Sequence, residues 1–127
     1  MNKFLVKLLY NGTPHNINII RGAVLDSTDR KWKGGEVIQV IPSDGMLSAK
    51  INSIQTGVLN GLIPVFSKEI VDCQELPEGF DYYIVSVLYA TAYKAKYGNT
   101  DKLLVVADPV MSEDGKTFIG CTGLATF

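Results

Sequence analysis

The chain has 127 residues, a formal net charge of −1 and a pI near 5.7. That length supplies one domain, residues 1–127, with a real core and excludes two. The charge lacks the basic surplus of a general nucleic-acid binder, so no nucleic-acid polymer is expected as partner. The longest apolar runs, such as 103–107, fall far short of the roughly 18 residues a membrane span needs, so no membrane partner is expected either.

The opening MNKFLVKLLYNG has a short apolar run broken by a lysine and no small-residue cleavage site, so Met1 reads as the true start. Residues 3–10 (KFLVKLLY) read as a strand, Asn11-Gly12 as a turn, and the alternating residues 16–21 (NINIIR) as the return strand of a hairpin. Residues 23–35 are polar and charged, a long loop or hairpin tip that holds the only tryptophan, Trp32, among Arg30, Lys31 and Lys33. Residues 36–41 (EVIQVI) form a strand closed by a Pro-Ser-Asp-Gly turn. Residues 46–54 alternate with Leu47, Ala49 and Ile51 on one face. Residues 62–66 and 68–73 read as one interrupted strand, with Pro64 marking an edge or a bulge.

The pattern then changes. Residues 82–85 (YYIV) read as a strand and 87–97 as a helix carrying Tyr89, Tyr93 and Tyr97 at i, i+4 and i+8, with Gly98 at the C′ position. Residues 103–107 form a strand ended by Asp108-Pro109, residues 112–115 (SEDG) a turn, and 117–121 a last strand. The expected fold is α+β: a mostly antiparallel sheet with one β-α-β unit near the C-terminus, whose single main helix covers about 87–97.

Ser86 stands between strand and helix. Its hydroxyl suits an N-cap, and the free N–H groups of a helix start suit phosphate. If residues 82–85 and 103–107 are parallel neighbours, Ser86 and Asp108 share the carboxyl edge where α/β sheets bind ligands, with Asp108 placed for a ribose hydroxyl. His15, the only histidine, is a ligand contact or a general base, or else it stabilises the turn after Asn11. Arg21 and Arg30 are the only arginines, and Arg21 at a strand end offers a fork for phosphate. Trp32, Tyr83 and Tyr89 are the candidates for stacking on a base. The tyrosine row as a whole reads as packing, at a subunit interface of a homo-oligomer. The glycines of GKTFIGCTG (115–123) lack the following helix of a phosphate loop and read as strand and turn glycines. Cys73 and Cys121 are isolated, which predicts two buried thiols in a cytoplasmic protein and neither metal nor cofactor. No nucleophile-elbow, phosphate-loop or zinc-hydrolase motif is present, so no catalytic residue is assigned.

The ordered set Thr13-Pro14-His15, IPSDG (41–45) with Ala49-Lys50, GLIPV (61–65), Leu76-Pro77, YIVS (83–86) and GCTGL (120–124) resembles a group of small phage and bacterial proteins. The resemblance covers most of the chain; a longer N-terminal strand and the charged insertion around 25–34 depart from it. By analogy of class, it implies a phage protein of counter-defence: a sponge that sequesters a nucleotide signal of bacterial immunity, such as a cyclic ADP-ribose isomer or a cyclic dinucleotide. The expected function is therefore non-catalytic binding of a small nucleotide-like ligand. The alternatives are a small nucleotide hydrolase or lyase using His15, and a phage structural or interaction protein.

Overall fold

A computed structural model describes residues 8–127. Ten strands and one helix follow in order: β1 (Leu9–Asn11), β2 (Ile17–Arg21), β3 (Val24–Asp26), β4 (Lys31–Lys33), β5 (Glu36–Ile41), β6 (Ala49–Leu59), β7 (Ile63–Cys73), β8 (Tyr82–Ile84), α1 (Val87–Tyr97), β9 (Leu103–Met111) and β10 (Phe118–Thr126). Eight strands form one sheet along the path β1-β8-β9-β10-β2-β5, with the β3–β4 hairpin attached through β4 to β9; β6 and β7 form a separate two-stranded ribbon.

This architecture corrects the expected α+β class. Strands hold 52% of the described residues and the helix 9%, and the sheet is mixed and nearly closed into a barrel. The β1–β8, β8–β9, β10–β2 and β4–β9 pairs are all parallel. The helix stands mid-chain, ahead of two nine-residue strands, rather than at the C-terminus. Sequence neighbours were expected to pair, and several do not.

Asn11-Gly12 shows why. A hairpin there requires Asn11 at an exposed turn, yet Asn11 is fully buried. Its amide donates to the carbonyls of His15 (3.1 Å) and Ile41 (3.0 Å), and its own Oδ1 accepts from the N–H and hydroxyl of Thr13. Because Ile41 ends β5 and Asn11 ends β1, this one side chain ties together the two ends of the sheet path. β1 consequently pairs with β8, not β2. Residues 3–7 of the expected first strand lie outside the described residues.

Tyr83 and Val85 point to the helix side and pack with Tyr89, Ala90, Ala92, Leu103, Leu47 and Cys73. Ile84, on the opposite face, packs with Ile17 and Cys121. Gly120 permits the close β10–β2 approach, since a Cβ there would lie 2.5 Å from the Asn18 carbonyl. The helix occupies its expected bounds. Ser86 caps it by accepting from the Tyr89 N–H at 3.1 Å, and Gly98 closes it in the left-handed region at φ 84°. No helix among the described residues is long and apolar enough to cross a membrane.

Candidate functional site: a tyrosine cleft beside the helix

The connector 76–80 (LPEGF) runs back across the end of β8 and the outer turn of α1. Between them lies a cleft of about 520 Å³, lined by Leu76, Pro77, Phe80, Tyr83, Tyr93, Tyr97 and Leu103, with Glu78, Asn99, Asp101 and Lys102 as its polar groups. The helical period places Tyr93 and Tyr97 one above the other, with ring centroids 4.5 Å apart. Across the cleft, Phe80 meets Tyr10 edge-on at 5.0 Å and Tyr83 at 6.0 Å. The Tyr83 hydroxyl donates to the Pro77 carbonyl, which fixes the connector to β8. The Asn99 side chain accepts from the Asp101 N–H at 2.8 Å and shapes the turn that presents Asp101 and Lys102.

Burial grades the tyrosine row. Tyr89 is fully enclosed, its hydroxyl donates to the Gln74 carbonyl, and burial pushes its phenol above the ordinary range. Burial raises Tyr93 as well. Tyr97 is 46% exposed, with the Lys96 ammonium 5.3 Å from its ring centre. Tyr89 and Tyr93 are therefore neutral phenols at physiological pH, and the outer part of the row is the part a ligand can reach.

A second cleft, of about 480 Å³, lies on the other side of the sheet. Its lining includes Thr13, His15, Asn16, Asn18, Val106, Phe118 and Cys121. The His15 carbonyl is engaged by Asn11 and Thr13, whereas the exposed side chain lines this cleft. Burial holds the Cys121 thiol up, as it does Cys73, so neither sulfur is a ready nucleophile.

The seven residues expected at a site are not brought together. Tyr83 lines the first cleft and His15 the second. Tyr89 belongs to the core and offers no stacking face. β8 and β9 are parallel neighbours, but β9 runs on through Asp108-Pro109 to Met111. By that register Ser86 is level with Val106, so Asp108 lies two residues further along, roughly 7 Å. Asp108 adopts φ 48° and accepts from the Thr122 hydroxyl at 3.1 Å. Ser86 is spent on its cap. Arg21 is exposed at the end of β2, opposite Glu36, and Trp32 is half-buried in β4 opposite Leu25 and Val110. The loop expected around Trp32 is a β3–β4 hairpin, held by Lys33 to Asp26 (2.9 Å) and Asp29 (2.8 Å).

The residues missed were Tyr93 and Tyr97, read only as packing, and Phe80, Asn99, Asp101 and Lys102. One signal for them was available: the tyrosine row extends past the buried turn of the helix, and its last member needs a neighbour that the helix cannot supply. Comparison with protein-family models, curated proteins and solved structures finds no match for this chain.

Proposed function

We propose that the chain is a non-catalytic binding protein that holds a small nucleotide-like ligand in the tyrosine cleft. One observation carries the reading: Tyr93, Tyr97, Phe80 and Tyr83 line the same cavity as Asp101 and Lys102. Aromatic faces accept a base of any identity. A carboxylate accepts from ribose hydroxyls, and an ammonium pairs with phosphate. The volume lies in the range of small-molecule sites. Taken with the resemblance to small phage proteins, this supports sequestration of a nucleotide immune signal in the cytoplasm of the host, by an assembly of identical copies.

Titration calorimetry of the full chain with cyclic ADP-ribose isomers and cyclic dinucleotides tests the reading. Tyr97→Ala is expected to weaken binding about 5- to 150-fold, since stacking is worth about 1–3 kcal/mol per base. Ser86→Ala and Asp108→Ala are expected to leave affinity unchanged. The reverse pattern would move the site to the strand ends, and a panel with no binding at all would remove the ligand. Bound ligand released by heat is expected intact. An altered product would transfer the reading to a hydrolase or lyase, with His15→Ala abolishing turnover.

A further inference from the structure

The β6–β7 ribbon is the least self-sufficient part of the molecule. Its strands pair only with each other, over eleven residues each, which gives an arm about 36 Å long. Every residue from Lys50 to Asp72 is exposed. The stretch 54–67 contains no charged side chain. Within it Val58, Leu59, Leu62, Ile63, Val65 and Phe66 are each 42–86% exposed. Register puts Val58 and Phe66 on one face and Leu59, Ile63 and Val65 on the other, so both faces are apolar. An isolated two-stranded ribbon is marginal in water. The exposed apolar side chains of this one lie on both faces and crowd toward the tip, where Leu62 is 86% exposed.

The same chain carries a matching surface. β5 ends the sheet path and pairs only with β2, so apart from the Ile41 carbonyl, which the Asn11 side chain takes, its outer edge meets no strand. Residues 37–41 (VIQVI) are uncharged, and Val37, Ile38 and Val40 are 45–50% exposed. Neither surface imposes an unpaired charge on the other. The edge that docks also follows from sequence. Pro64 is tolerated opposite Val58 because its missing donor faces away from β6, which spoils the outer edge of β7 and leaves that of β6 open.

We propose that the arm of one copy lays the outer edge of β6 along β5 of a second copy, adding a strand to its sheet and setting the uncharged, apolar side chains of the two edges side by side. This rests on the reading above that identical copies assemble, and specifies the contact.

The experiment is light-scattering mass measurement on the full chain at tens of micromolar, with helix content and melting followed to confirm folding. Wild type is expected at a multiple of 13.9 kDa. Val58→Lys/Leu59→Lys on the arm and Ile38→Glu/Val40→Glu on β5 are each expected to give the 13.9 kDa monomer. All four sites are 45–55% exposed, so the fold survives. Mixing the two variants is expected to restore a complex through opposite charges. A monomeric wild type overturns both the contact and the assembly reading. An arm variant with wild-type mass overturns the contact alone. Monomeric variants that fail to combine overturn β5 as the acceptor.

Discussion

Residues 82–92 (YYIVSVLYATA) and 57–66 (GVLNGLIPVF) are equally free of charge, and both are mostly apolar. The first run makes the core: Ile84, Tyr89 and Ala90 are fully enclosed. The second makes the tip of an arm where Leu62 is 86% exposed. What separates them is the number of layers. β8 has the helix on one face and the β2–β10 side of the sheet on the other, whereas β6 and β7, past their base at Ala49 and Cys73, are exposed on both. Apolar sequence therefore states that a segment needs cover without stating that its own chain provides it.

The largest test of that contrast is truncation on each side of it. Tyr89→Ala removes a fully buried ring and its bond to Gln74, and is expected to cost about 3–5 kcal/mol in urea unfolding. Leu62→Ala at the arm tip is expected to stay within about 0.5 kcal/mol when measured on dilute monomer. Comparable losses would mean that the arm packs on its own chain. Asn11→Ala comes next. It strips the Ile41 and His15 carbonyls and the Thr13 donors of their partner at a buried position. About 1–3 kcal/mol is expected, with amide exchange accelerated in β5 ahead of the helix. Uniform acceleration would show that Asn11 does not close the sheet locally.

The two regions were legible to different depths, for physical reasons. The helix announces itself within its own eleven residues, through a 3.6-residue stripe, a serine cap and a terminal glycine. The arm turn is equally local: Asn60 and Gly61 adopt φ 52° and 70°, the left-handed pair that a tight hairpin demands. Parallel pairing has no such local signature. Nothing in residues 9–11 names β8, seventy residues away, and the Asn-Gly signal there misleads because burial, invisible in sequence, turns Asn11 into a strap. The site was obscured in the same way. Asp108-Pro109 stops most strands, yet β9 passes through it with Asp108 in the left-handed region. The expected meeting of Ser86 and Asp108 dissolved, and the connector 76–80, which carries no expected site residue, became a cleft wall.

Smaller effects sharpen the boundary between the regions. Ser86→Ala is expected to cost about 1 kcal/mol through the lost cap. The last contact joins helix to arm: Lys96 reaches Asp72, near the base of β7, at 2.7 Å. Lys96, with help from the Cys73 N–H, holds the Asp72 carboxyl below its usual range, and Asp72 raises Lys96. A lowered acid stabilises the fold above its unfolded pKa, about 3.9, and that contribution is lost as pH falls through the lowered folded value. A raised base stabilises below its unfolded pKa, about 10.4, and the contribution is lost as pH rises through the raised one. The pair is therefore in place across the whole interval between. Lys96→Met is expected to return the Asp72 titration, followed by carboxyl NMR, toward about 3.9, with the arm base exchanging its amides faster and the Tyr89 core unchanged. An unmoved Asp72 midpoint would show that the helix does not hold the arm through this pair. Cys73 and Ala49, packed on the helix cluster, would then be what holds the arm base, and the boundary between covered and uncovered sequence would fall at that pair.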